Sequence, residues 1–184
     1  MTQVRHWRRL DVPGSEEFIE DGRVFEGRVQ VQETAPWSAE YRVTFDQDWV
    51  TLVAQVAVVD GEGSRRLELR RDESGFWFAN GREVEPCRDA LDVDLGMTPS
   101  TNTSVIRRLK LPVEGTAELT AAWVRFPGLT VEPLRQRYTR VSAHGYLYES
   151  LRETGVVFQA RIDVDSSNLV ERYARLFERV NGPG

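Results

Sequence analysis

The chain has 184 residues, 40% of them hydrophobic and 29% charged, with a formal net charge of −5 at pH 7. That length suits one domain, residues 1–184, able to bury a core or a core plus a cavity. The acidic balance, with Lys110 the only lysine among paired arginines, gives no basic stripe for a polyanion and argues against nucleic acid as a partner.

At the N-terminus, residues 1–10 carry charge with no apolar run behind them, which argues against an export signal. The most apolar stretch, Trp49 to Val59, is interrupted by Thr51 and Gln55 and falls far short of the ~20 residues that cross a bilayer. No transmembrane segment and a cytoplasmic location are therefore expected.

In chain order, period-two alternation comes first. Val29 and Val31 alternate with Arg28, Gln30 and Gln32, and Tyr41, Val43 and Phe45 with Glu40, Arg42 and Thr44. Val50 to Val59 is apolar on both faces, which predicts a central strand covered on both sides. Leu67 and Leu69 sit between Arg66, Glu68 and Arg70. Asp72-Glu73-Ser74-Gly75 then predicts a hairpin into Phe76-Trp77-Phe78. Thr98-Pro99 predicts the start of a short helix over 99–109, with Val105, Ile106 and Leu109 as its apolar stripe. Thr116 to Phe126 is apolar on both faces. Val156, Phe158, Ala160, Ile162 and Val164 share one face of a strand whose other face carries Gln159, Arg161 and Asp163. Finally Leu169, Val170, Tyr173, Leu176, Phe177 and Val180 recur at helical spacing, which predicts a second helix over 168–180 capped by Ser166 or Ser167. The fold class is mainly β: an antiparallel sheet of roughly ten strands, which twists strongly and tends to curl or close; if it curls without closing, its concave face can hold an apolar cavity.

The segment from Cys87 to Arg108 carries the most distinctive chemistry. Asp92 and Asp94 lie two apart, so on a strand both carboxylates point to one side; Asp163 and Asp165 repeat the spacing. Facing carboxylates suit a hard cation or acid–base work, but no Ca²⁺-loop spacing follows. Thr98, Ser100, Thr101, Asn102, Thr103 and Ser104 form a run of short hydrogen-bonding side chains. They read either as a clasp on the backbone or, with Arg107 or Arg108, as a polar rim for a ligand. There is no G-x-S-x-G elbow or glycine-rich phosphate loop, His6 and His144 stand in no recognisable motif, and the lone Cys87 suits a buried thiol.

Cys87-Arg88-Asp89, Asp92-Val93-Asp94-Leu95, Thr98-Pro99-Ser100-Thr101-Asn102-Thr103 and Arg107-Arg108-Leu109 together resemble a bacterial family described as putative glycolipid-binding proteins. So do Trp123-Val124-Arg125-Phe126-Pro127, Gln136-Arg137-Tyr138, Tyr146-Leu147-Tyr148, and the ending Asp163-Val164-Asp165 with Tyr173 and Leu176-Phe177-Glu178-Arg179. One departure is Ser166-Ser167-Asn168, where a tighter, glycine-containing turn is expected. The resemblance covers nearly the whole chain and implies a half-open barrel similar to lipoprotein carriers of the bacterial envelope.

The resulting expectation is a non-catalytic binding protein for an amphiphilic or apolar small molecule, a glycolipid among them, with no cofactor and no metal. Trp37, Trp49, Trp77, Trp123 and Tyr138 are the candidate pocket aromatics; Asp94, Asn102 and Arg108 are the candidates for holding the polar end. The alternatives are a hydrolase of a glycoside or ester acting through Asp92 and Asp94, and a protein-interaction module using an open sheet edge.

Overall fold

The computed structural model describes residues 2–182. Its strands are β1 (Gln3–Arg9), β2 (Gly14–Asp21), β3 (Val24–Val31), β4 (Trp37–Phe45), β5 (Thr51–Asp60), β6 (Gly63–Arg71), β7 (Trp77–Ala79), β8 (Arg82–Glu83) and β9 (Asp92–Leu95). After helix α1 (Ser100–Leu109) come β10 (Thr116–Arg125), β11 (Thr130–Ser142), β12 (Gly145–Arg152), β13 (Gly155–Val164), β14 (Val170–Tyr173) and β15 (Phe177–Val180).

All the strands belong to one sheet. β1 pairs with β2 on one side and with β15 on the other, so the two ends of the chain meet mid-sheet. From there the strands run outward to β8 at one edge and β9 at the other. Only the β9–β10 pair is parallel among the described strands. The large curved sheet does not close, as a half-open barrel requires. Isolated bonds lace its β9 end to the β5–β7 side: Thr51 N–H donates to the Leu91 carbonyl (2.9 Å), Trp77 Nε1 to the Ala90 carbonyl (2.9 Å) and Val93 N–H to Thr51 Oγ1 (3.1 Å).

Three hairpins share one local design. Asp46, Asp72 and Asp165 each accept, through Oδ1, the backbone N–H groups two and four residues on. In each, the residue three places on has positive φ: Trp49 (68°), Gly75 (86°) and Asn168 (62°). Glycine and asparagine are the residues that adopt this conformation readily. Asn168 therefore does the turning work for which a glycine is expected, and Ser166-Ser167 is hairpin rather than helix cap.

The second predicted helix is accordingly absent: 168–180 is the β14–β15 hairpin. Two strands of four residues joined by a three-residue turn, with Arg175 at φ 68°, reproduce the same apolar spacing as a helix face. Val170, Tyr173 and Phe177 are all buried by it. The strand at 50–59 also departs from expectation. Ala54, Val56 and Val58 are buried, but Leu52 and Val59 are exposed, because no second layer covers the convex face there.

One side of the curl is dry. Trp7, Phe18, Phe25 and Phe45 pack in a chain of ring contacts with centroids 5.0, 5.1 and 4.8 Å apart. Gly27 leaves room for the Tyr41 ring on the neighbouring strand; a Cβ there would lie 2.3 Å from Tyr41 Cε1.

Candidate functional site

Helix α1 forms over the predicted 99–109 stretch, with Pro99 as its N-cap, and it lies against the sheet with Ser100 through Ile106 all buried. A helix whose buried face is Ser-Thr-Asn-Thr-Ser gains little from the hydrophobic effect. Only Val105 and Ile106 bury apolar side chains fully, worth about 2 kcal/mol each. Polar ties do the rest. At the N-terminal end, Thr98 Oγ1 and Tyr41 OH donate to Glu16 Oε1 (2.7 and 2.6 Å), and Tyr41 OH lies 2.9 Å from Ser100 Oγ. In the middle, Tyr138 OH donates to Asn102 Oδ1 (2.8 Å). At the C-terminal end, Arg107 pairs with Glu20 and donates to the Ser167 carbonyl (2.8 Å), while Arg108 grips Asp92 with two bonds of 2.9 and 2.5 Å.

Asp92 and Asp94 do share a face, as their spacing requires. β9 sets Asp92 beside Ala121 and Asp94 beside Trp123 on β10. Their environments differ. Asp92 is fully buried; desolvation pushes its pKa up, opposed by the Arg108 ion pair and by the Arg71 charge. Asp94 is partly exposed, accepts from Gln136 Nε2 (2.5 Å), and is pushed up to about 6 by desolvation, the Gln136 hydrogen bond opposing. Asp92 is thus sequestered in an ion pair, and Asp94 alone of the pair is partly exposed. Among the described residues no three His, Cys, Asp or Glu side chains cluster as metal ligands do.

Around Asp94 the inward face is only half covered. Trp123 and Leu119 of β10, Leu134 of β11 and Phe158 of β13 are all partly exposed. They share this face with the buried polar groups Gln136 and Ser150, which the β10–β13 register aligns with Leu119 and Phe158. Behind them Tyr138, Tyr148 and Tyr173 pack edge to face, with centroids 5.2 and 5.7 Å apart. Burial raises all three phenol pKa values, so these hydroxyls stay protonated donors. The arrangement joins an indole, apolar side chains, a carboxylate, a carboxamide and hydroxyls on one inward-facing patch.

The structure brings Trp123, Tyr138, Asp94, Asn102 and Arg108 together around α1 and β9–β11. The other candidates lie elsewhere. Trp37 stacks on Phe126 (5.9 Å) at a separate, partly exposed spot. Trp49 carries the Arg23 and Arg107 guanidinium groups over its rings at 4.0 and 4.5 Å. Trp77 is fully buried with its indole N–H tied to a backbone carbonyl, a core role. Glu16, Tyr41, Gln136 and Tyr148 join the site although none is among the candidate site residues of the sequence; Tyr41 stands in a strand alternation, and Gln136 and Tyr148 stand in the stretches that carry the family resemblance. Separate open clefts mark the surface, among them one of ≈ 460 Å³ between charged side chains of β3–β6, including Glu26, Arg42, Arg66 and Glu68, and one of ≈ 680 Å³ near Pro86, Pro133 and Leu151. The first is charged convex surface and lacks the mixed chemistry of the Asp94 patch.

A family described as "Putative glycolipid-binding" matches residues 4–179. The chain belongs to this family. A crystal structure of a DUF1089 family protein from Pseudomonas aeruginosa is similar to it, with 33% identity, a TM-score of 0.84, and coverage of 91% of this chain and 92% of that one. No curated protein matches. Among the described residues, no helix is long and apolar enough to cross a membrane.

Proposed function

We propose that the protein binds an amphiphilic small molecule, a glycolipid being the family's own suggestion, on the half-open inner face beside Asp94, and that it does so without catalysis. The observation that carries this reading is the partial exposure of Trp123, Leu119, Leu134 and Phe158 around Asp94 and Gln136, on a face that is otherwise closed by α1. An indole and apolar walls suit an acyl chain or the flat face of a sugar. A carboxylate and a carboxamide at their centre suit hydroxyl groups. Asn102, Tyr138 and Arg108 stand behind this patch, as positioning groups for α1 and Asp92. The hydrolase alternative has less support: its second carboxylate, Asp92, is held bidentately by Arg108.

The test is native mass spectrometry of gently purified protein, followed by titration with dodecyl maltoside below its critical micelle concentration. A bound mass, or saturable binding weakened about tenfold by Trp123→Ala, is the expected result. Absence of both would overturn the reading.

A further inference from the structure

We infer that helix α1 is a displaceable plug with Glu16 as its latch: the helix occupies the inner face when closed, and swings out as a unit on Gly96 and the Lys110–Gly115 turn to admit the ligand. This deepens the binding reading above by naming how the site opens, and it rests on that reading only for the identity of what enters.

Four observations point to it. First, the helix is held chiefly by polar ties, and those ties sit at discrete points along it: Glu16 at its N-terminal end, Tyr138 at its middle, Glu20 and Asp92 at its C-terminal end. Polar ties can be exchanged for water or for a ligand's hydroxyls at little net change, whereas a packed apolar face cannot. Second, the fit is incomplete. Thr103 Oγ1, on the helix, and Glu16 Oε2, against it, are buried without a hydrogen-bond partner among the described residues. Such groups are rare in a static core and favour a state in which they are hydrated. Third, both ends have the backbone for movement. Gly96 is exposed, and Lys110 adopts the left-handed conformation at φ 47° just before Pro112 and Gly115. Fourth, the ligand face touches the hinge: a Cβ on Gly96 would lie 2.6 Å from Trp123 Nε1, so the indole rests directly on that glycine. A ligand that moves Trp123 moves the start of the plug.

The latch is sensitive to protons. Glu16 accepts from Tyr41 of β4 and from Thr98 at the start of the plug, and faces the Arg9 guanidinium of β1, which is itself paired with Asp11; Ser100 bonds to Tyr41 and Thr98 rather than to Glu16. Burial pushes its carboxyl up to about 8, opposed by the Tyr41 and Thr98 hydrogen bonds and the Arg9 charge. Because the closed-state value lies above the ordinary one of 4.5, the stabilisation of the closed form is fully present below about pH 4.5 and is lost as pH rises through about 8. Opening therefore grows with pH, by about tenfold per unit inside that window.

The experiment is hydrogen–deuterium exchange by mass spectrometry on the full chain without ligand, at pH 5, 6, 7 and 8, corrected for the intrinsic exchange rate. Peptides spanning 96–110 should gain exchange with pH relative to peptides of β3 and β12, and Glu16→Gln should remove that gain. If Glu16→Gln does not fold, Tyr41→Phe, which deletes one donor to the carboxylate, should move the transition to higher pH. Exchange over 96–110 as slow and as pH-independent as in the strands would overturn the plug. Opening of 96–110 whose pH dependence survives Glu16→Gln, or is unmoved by Tyr41→Phe, would overturn the latch. Since no amphiphile is present, failure here is distinct from failure of dodecyl maltoside to bind.

Discussion

The two sides of the curl are built from the same strand alternation and yet differ in what they turn inward. The β1–β7 side presents Trp7, Phe18, Phe25, Phe45, Leu69 and Trp77, all buried, and the indole N–H groups of Trp7 and Trp77 are bonded to backbone carbonyls. The β9–β13 side presents Asp94, Gln136, Tyr138, Tyr148 and Ser150 beside partly exposed Trp123 and Phe158. The first is a core whose indole N–H groups are paired and whose rings interlock. The second is an inward-facing surface, apolar and polar together, that protein atoms alone leave half open. A tryptophan on the first side holds the fold, and a tryptophan on the second is free to hold something else. α1 lies between them and bonds to both, through Tyr41 and Glu16 on one side and Tyr138 on the other.

Substitutions sharpen this contrast. The largest effect is expected from Trp77→Ala, which empties a fully buried site and should cost about 3–5 kcal/mol in urea unfolding. Arg108→Met should cost about 3 kcal/mol, because it strands the buried Asp92 carboxylate without its partner; Arg108→Met combined with Asp92→Leu should recover most of that loss. Trp123→Ala should cost only about 1 kcal/mol of stability, since its indole is partly exposed already, while reducing dodecyl maltoside binding about tenfold. If Trp123→Ala proved as damaging to stability as Trp77→Ala, the contrast between the two sides would fail.

Asp94→Asn tests the same side through pH. The folded-state value of about 6 lies above the ordinary 3.8, so the Asp94 contribution to stability is full below about pH 3.8 and is lost as pH rises through 6. Removing the charge should therefore stabilise the protein at pH 7, by about 1 kcal/mol after allowance for partial exposure, with little difference at pH 4. Smallest of all should be Trp49→Asn. It relieves a bulky side chain from positive φ, worth about 1 kcal/mol or more, but removes the Arg23 and Arg107 contacts, worth about as much. Urea midpoints should nearly coincide.

Much of this fold was legible because alternation is a direct readout of a one-sided strand. Tyr41-Val43-Phe45 and Phe158-Ala160-Ile162-Val164 behave as their patterns require, but Val156 does not join the latter face: a register shift between Ser150 and Leu151 turns it outward and leaves it exposed. The segment 168–180 was not legible, because two short strands across a tight turn mimic helical spacing, and the deciding feature, the Asp165 side chain capturing two backbone N–H groups, is three-dimensional. The shared face of Asp92 and Asp94 followed from their spacing; that one would be sequestered by Arg108 did not, since Arg107 and Arg108 are equivalent until the helix is docked. Glu16 lay outside the pattern altogether. β2 turns Glu16, Phe18 and Glu20 inward, against the rule that acids face water, and only the polar face of α1 makes sense of it.

The account's central claim is that the β9–β13 side is where a ligand sits. The most direct measurement is the ¹H–¹⁵N spectrum of the five indole N–H groups during titration with dodecyl maltoside. The Trp123 signal should shift and saturate while those of Trp7 and Trp77 stay fixed. Saturable shifts at Trp37 or Trp49 with Trp123 unmoved would contradict the claim.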